Sequence, residues 1–160
     1  RAREAVFNIL SSKLAGDWAA CDMLDVFAGT GAVGLEALSR GVRSVTLLDV
    51  NLQTARRNAA LFAKEKDRIS LISADASRLP PAPRQYNLVF LDAPYNKGLS
   101  VAALQSLAGQ GWLADGALVL VELEKNEPLE MESIPFFEQV DERRYGLARV
   151  VFLHFLPAKK

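Results

Sequence analysis

The sequence predicts an α/β fold, a mostly parallel seven-stranded sheet with helices on both faces and an antiparallel C-terminal hairpin. Three observations predict it. Apolar runs of strand length alternate with stretches that place apolar residues at helical spacing, the order expected of βαβ units. The first five runs lack the polar alternation of a half-exposed strand, as strands buried on both faces should. The tail then breaks the alternation, with two strand-like runs around a short turn.

The elements follow in order. From Arg3 to Leu14, residues Val6, Ile9, Leu10 and Leu14 share one helical face. Asp22–Ala28 reads as the first strand, Gly29–Gly34 as a glycine-rich turn, and Leu35–Ser39 as a helix stopped by Gly41. Ser44–Val50 is β-branched and leucine-rich, a second strand. Asn51 is placed to cap a helix whose buried stripe is Leu52, Ala55, Ala59 and Phe62. Ile69–Ala74 is a third strand, and Pro80, Pro81 and Pro83 mark a loop. Tyr86–Leu91 is a fourth strand, Val101, Leu104, Leu107 and Ala108 predict a helix, and Ala117–Leu123 is a fifth strand. Phe136–Asp141 and Leu147–Phe155 form the hairpin, with Arg143–Gly146 as its turn.

A length of 160 residues predicts a single domain. The 19 basic residues balance 19 acidic ones, which excludes a grossly basic nucleic-acid binder while leaving room for a local basic patch. One cysteine, Cys21, excludes a disulfide framework and a cysteine-cluster metal site, and the single His154 weakens the case for zinc or iron, so no metal is expected. No apolar run approaches the roughly 20 residues of a membrane span. No secretory leader precedes the fold, so a cytoplasmic location is expected. The chain starts inside a helix, so residues ahead of Arg1 are expected to be missing.

In open α/β sheets ligands sit beyond the carboxyl ends of the strands, near the switch in strand order. Gly29-Thr30-Gly31-Ala32-Val33-Gly34 fits G-x-G-x-x-G between a strand and a helix, where glycines let a ligand approach the backbone. Asp49 follows Gly29 by 20 residues and ends the next strand, where a carboxylate can take both ribose hydroxyls. The pair indicates a nucleoside cofactor without saying which. Asp25, inside the first strand, would repel a pyrophosphate but suits the ammonium of an amino-acid-like ligand. Asp75 can accept from an exocyclic amine such as adenine N6, although alone it also fits a solvated turn or helix cap.

Asp92-Ala93-Pro94-Tyr95 follows the fourth strand. Asp92 offers a carboxylate acceptor, and the Ala93 carbonyl offers a second. Pro94 holds Ala93 extended, and Tyr95 adds a flat ring. Two acceptors beneath a ring suit a planar molecule bearing an NH₂ group.

These residues resemble the class I S-adenosylmethionine-dependent methyltransferases, and more narrowly the bacterial 16S ribosomal RNA guanine-N2 methyltransferases of the RsmD type. The resemblance rests on Arg3–Leu10, on Leu24–Gly41 around the glycines, and on Asn87–Asp92. It implies a Rossmann-like class I methyltransferase fold and S-adenosyl-L-methionine as cofactor. It implies that Asp25, Phe27, Ala28, Gly29, Thr30, Gly31 and Gly34 wrap the methionine end. Asp49 would hold the ribose, Val50 would lie against the adenine, and Asp75 would accept from its amine beside Ala76. Asp92 and Ala93 would hold the target amine, Pro94 would stiffen the loop, and Tyr95 would stack on the base. The implied partner is 16S ribosomal RNA or the small ribosomal subunit, engaged by a monomer with no membrane involved.

Two departures stand out. The family tetrapeptide is D-P-P-Y or D-P-P-F, and Ala93 replaces its first proline, which keeps the carbonyl but loosens the loop. The family's basic segment ahead of the Arg3 helix is also not in this sequence. The stretch Glu122–Glu142 holds eight carboxylates and one lysine, so that edge is expected to face away from phosphate. Lys97 and Gly98 could form a lip touching phosphate. Arg56, Arg57, Lys64, Lys66 and Arg68 form a second basic group, which solvated surface charge explains as well. The target base would have to leave its stack. An ordinary aspartate, with a pKa of roughly 3.9, is a weak base, so proton loss is expected to follow methyl transfer. Competing readings are a DNA amino-methyltransferase, a nicotinamide-dependent oxidoreductase and a binding module without turnover. The first has little room for a target-recognition region, and the second leaves Asp25 and Asp92–Tyr95 without a role.

Overall fold

All five residues of the strand Asp22–Val26 are buried, so this strand has no solvent face and must lie inside a covered sheet. The computed structural model describes residues 2–95 and 97–156. The chain runs through α1 (Ala2–Lys13), β1 (Asp22–Val26), α2 (Ala32–Ser39), β2 (Ser44–Asp49), α3 (Gln53–Ala60) and β3 (Ile69–Ser73). It continues through β4 (Tyr86–Leu91), α4 (Leu99–Gly109), β5 (Leu113–Glu124), β6 (Phe137–Tyr145) and β7 (Ala148–Phe155). One seven-stranded sheet has the order β3-β2-β1-β4-β5-β7-β6. Strands β1 to β5 pair in parallel, while β7 runs antiparallel to both β5 and β6. This is the Rossmann-like class I methyltransferase arrangement expected from the sequence. Its switch point lies between β1 and β4, which leave the sheet's middle in opposite directions.

Period two assigns the two faces. Leu24, Val26, Val89 and Leu91 point toward α4, where Ala103, Leu104 and Leu107 meet them. Met23, Leu88 and Phe90 point the other way, toward Val6, Phe7 and Leu10 of α1 and Leu35 and Leu38 of α2. Asp25 shares the parity of Met23, so its carboxyl belongs to the α1–α2 face.

Several boundaries differ from the sequence expectation. β1 ends at Val26 rather than Ala28 because Phe27 takes φ 60, which turns the chain out of the strand. α2 starts at Ala32, inside the glycine stretch. α3 ends at Ala60, leaving Phe62 in the turn beyond it, and Asn51 accepts from the Gln53 amide at 2.9 Å one residue ahead of the cap position. β5 starts at Leu113, with a register shift between Tyr86 and Leu88 that accommodates the longer strand. Arg143 and Arg144, expected in the hairpin turn, pair with Val150 and Arg149. The turn is therefore only Gly146 and Leu147, with Gly146 at φ 59. Among the described residues no helix is long and apolar enough to cross a membrane.

Gly34 sets how closely α2 approaches the sheet. A Cβ there would meet Leu47 Cδ2 at 2.5 Å and Val45 Cγ2 at 2.9 Å, both on β2. Gly34→Ala should therefore lower stability by about 1–3 kcal/mol, the usual cost of overpacking. Chemical denaturation measures it, and an unchanged midpoint would mean that α2 can back away without cost.

Candidate active site

The loop after β1 is pinned from two strands and a helix. Asp25 Oδ2 accepts the Gly34 amide at 2.9 Å. That amide lies in the first turn of α2, where backbone N–H groups lack partners within the helix. Asp49 Oδ2, at the end of β2, accepts the Gly29 amide at 2.9 Å, and its Oδ1 accepts the Val50 amide at 2.7 Å. Asn58 of α3 donates from Nδ2 to the Thr30 carbonyl at 2.8 Å. Thr30 Oγ1 accepts the Ala32 amide at 3.3 Å. Gly31 at φ 81 lies so near β2 that a Cβ would meet Leu47 Cδ1 at 2.9 Å. Phe27, at φ 60 without being glycine, holds a conformation that costs roughly 1–3 kcal/mol and persists where the surroundings impose it. Val50 next to Asp49 is 67% exposed, an apolar side chain left uncovered beside the loop.

Asp92, Ala93, Pro94 and Tyr95 continue directly from β4. Together with Phe27, Asp49 and Glu122 they line an open pocket of about 440 Å³. Ala93 is buried, while Tyr95 is 39% exposed and donates from its hydroxyl to Glu122 Oε2 at 3.2 Å. A second, more enclosed cavity of about 240 Å³ lies between α1 and the sheet, walled by Val6, Phe7, Leu10, Phe90 and Leu120. Asp92 and Glu122 line both spaces.

Burial governs the electrostatics. It pushes the Asp25 pKa up to about 8 against the opposing Gly34 hydrogen bond, with the charges of Asp92 and Asp49 adding to the rise. Asp92 keeps an exposed surface, yet burial of its carboxyl and the neighbouring Glu122 push its pKa up to about 7. Tyr95 rises to about 12, again through burial and then Glu122. At the other end of β1 the pattern inverts. Arg43 and Ser44 hydrogen-bond Asp22, Arg84 stands 3.0 Å away, and its pKa falls to about 2.

The structure thus brings together the glycine loop, Asp25, Asp49 and Asp92–Tyr95. Asp75 and Ala76 do not line the open pocket. Asp75 Oδ1 accepts from the Ser77 amide and hydroxyl at 2.9 and 2.7 Å, the turn-forming alternative, and Ala76 is buried in the α4-side core. Arg68 is taken out of the basic surface group, because it bonds Glu65 and the carbonyls of Val42 and Arg43. Arg56, Arg57, Lys64, Lys66 and Lys97 are exposed. The sequence reading missed Glu122 and Asn58. Glu122, the first residue of the acidic stretch expected to face away from phosphate, lines the open pocket, because β5 pairs beside β4 with Val121 opposite Leu91. A carboxylate within an otherwise apolar run, Ala117–Leu123, was the available signal. Among the described residues no group of three or more His, Cys, Asp or Glu is arranged to hold a metal ion.

The family described as conserved hypothetical protein 95 matches residues 1–154. Ribosomal RNA small subunit methyltransferase D of Escherichia coli K12 is 38% identical over 128 residues, covering 78% of this chain and 62% of its own. The Haemophilus influenzae protein of the same name is 33% identical over 139 residues, covering 81% of this chain and 68% of its own. This chain therefore spans about three fifths of the length of the Escherichia coli relative. A solved structure from Haemophilus influenzae, described as a candidate methylase, superposes with a TM-score of 0.84 at 26% identity. It covers 98% of this chain and 100% of that one.

The raised carboxyls make stability depend on pH. Folded Asp25 keeps its proton up to about 8, whereas a free aspartate loses it near 3.8. The penalty is absent below the unfolded value, grows as pH rises through that interval and is complete above the folded value. Asp25→Asn keeps an oxygen for the Gly34 amide and should remove Asp25's share of the decline. Urea denaturation between about pH 5 and 9 tests this, and parallel profiles for the two proteins would contradict it.

Proposed function

The chain belongs to the family described as conserved hypothetical protein 95, and on that premise we propose that it is an S-adenosylmethionine-dependent methyltransferase acting on guanine N2 of 16S ribosomal RNA. The observation that carries the reading is the convergence of Asp25, Asp49 and Asp92 where β1, β2 and β4 end, with burial raising the pKa of Asp25 and Asp92, helped by Asp92 and Asp49 at the first and by Glu122 at the second. Such a place disfavours an anionic pyrophosphate and favours a ligand with positive charge. The donor set fits the cofactor along its length. Asp25, with the loop Phe27, Ala28, Gly29, Thr30, Gly31 and Gly34, would hold the methionine end. Asp49 would take the ribose hydroxyls and exposed Val50 would meet the adenine face, while Asp75 could reach the adenine amine only with the oxygen that Ser77 leaves free. The names of the Escherichia coli and Haemophilus influenzae relatives support ribosomal RNA as substrate class.

The bound cofactor supplies a methyl group on a sulfonium, already electrophilic, so no residue has to build a leaving group. Guanine N2 is a poor nucleophile because its lone pair is delocalised into the ring. Asp92 and the Ala93 carbonyl would accept its two hydrogens, favouring a pyramidal nitrogen with an available lone pair. Tyr95 would stack on the ring and fix its plane. Positioning of this kind supplies ~7–11 kcal/mol of a barrier when alignment is good. The nitrogen gains the methyl and sheds one proton. With its pKa near 7, Asp92 is a far better acceptor for that proton than an ordinary aspartate. This shifts the weight from proton loss after transfer toward removal by Asp92.

The same reading makes 16S ribosomal RNA, free or within an assembling small subunit, the partner. It places a monomeric enzyme in the cytoplasm. Exposed Arg56, Arg57, Lys64, Lys66 and Lys97 are its candidates for phosphate contact.

Asp92→Asn keeps shape but loses an acceptor and a base. Transfer of labelled methyl to 16S ribosomal RNA should fall by about 10²–10⁴-fold, while S-adenosylhomocysteine binding stays within a few-fold. In the unaltered protein kcat/KM should rise with pH through about 7, as Asp92 ionises. Full activity in the variant would remove Asp92 from the chemistry.

A further inference from the structure

Glu122 has no place in the mechanism above, yet it stands beside the residue that does the most there. Leu91 on β4 pairs with Val121 on β5, so one step onward sets Asp92 beside Glu122. Neighbouring strands lie ~4.8 Å apart. Phe90 and Leu120, two residues back on each strand, share the α1-side core, which puts both carboxyls on that same face. Both also stand at the junction between the open pocket and the enclosed cavity. Glu122 Oε2 takes the Tyr95 hydroxyl, so the residue that would stack on the base is tied to this carboxylate.

Carboxylates accept hydrogen bonds and do not donate them when ionised. Among the bases, guanine alone places a ring N–H next to an exocyclic NH₂. Adenine and cytosine place a ring lone pair next to theirs. A base removed from its stack is read along this edge. With N2 held by Asp92 and the Ala93 carbonyl, the neighbouring ring position is the one a second acceptor on the same side would meet.

Building on the methyltransferase reading, we propose that Glu122 is the residue that selects guanine, by accepting the N1–H while Asp92 and Ala93 hold the N2 amine. A ring lone pair at that position would face the carboxylate directly and be repelled. A base lacking the N–H would leave the half-buried carboxylate without that partner, a cost that supplies discrimination. The alternative is that Glu122 only anchors Tyr95.

The test first maps the nucleotide that the unaltered protein methylates in 16S ribosomal RNA. It then compares two synthetic fragments carrying guanine or 2-aminopurine there. 2-Aminopurine keeps the amine and replaces the N1–H with a lone pair. The unaltered protein should favour guanine by ~100-fold or more. Glu122→Gln offers an amide N–H to a lone pair, so that ratio should collapse or reverse, with S-adenosylhomocysteine affinity preserved. A variant that binds S-adenosylhomocysteine normally and keeps the guanine preference would overturn the proposal and leave Glu122 as an anchor. Equal rates on both fragments with the unaltered protein would overturn it without any variant. No methylation of 16S ribosomal RNA by the unaltered protein would remove the methyltransferase reading and this inference with it.

Discussion

One buried hydrogen bond, from the Gly34 amide to Asp25, joins β1 to the first turn of α2. Much of the site's geometry depends on that link. It holds α2 so close to β2 that only glycine fits at position 34. Between the two residues it joins, the chain turns through three left-handed positions, Phe27, Gly29 and Gly31. Asp49 and Asn58 then fix the loop from β2 and α3. A loop held in this way presents its backbone to a ligand with little ordering left to do, which is how preorganisation strengthens binding.

The same strand carries two aspartates with opposite fates, one matched by cations and one not. Asp22 at the amino end is matched by Arg43 and Arg84 and is ionised under all ordinary conditions. Asp25 at the carboxyl end is buried with one amide for company and with Asp92 and Asp49 nearby. A fold seeking stability alone would pair or remove that group. Keeping it unpaired at the strand ends stores a cost that a cationic ligand can relieve, as perturbed carboxyls at binding sites often do.

Local pattern carried most of the architecture. The continuous apolar runs of β1, β2, β4 and β5 announced a covered parallel sheet, and the break in pattern after Leu123 announced the hairpin. The loop and the Asp92 tetrapeptide were likewise readable, because each is a short contiguous motif in a required context. What escaped was set by contacts distant in sequence or by single backbone angles. Glu122 gains its place only because β5 lies beside β4, 30 residues away from Asp92 along the chain. Asn58 matters through one carbonyl on a loop 28 residues earlier. The early end of β1 follows from Phe27 adopting a conformation that no side-chain pattern encodes. The raised pKa of Asp92 depends first on its burial and then on Glu122, and neither is encoded in the tetrapeptide itself.

On the proposed reading, the strand ends form a site for a cationic, amino-acid-bearing nucleoside. Calorimetric titration at neutral pH with S-adenosylhomocysteine, and with NAD as the comparison, tests it most directly. The account predicts binding of S-adenosylhomocysteine with release of protons, as its ammonium draws Asp25 into the ionised form, and no binding of NAD. Binding of NAD in place of S-adenosylhomocysteine would contradict it, and would return Asp92–Tyr95 to the role of a turn closing β4.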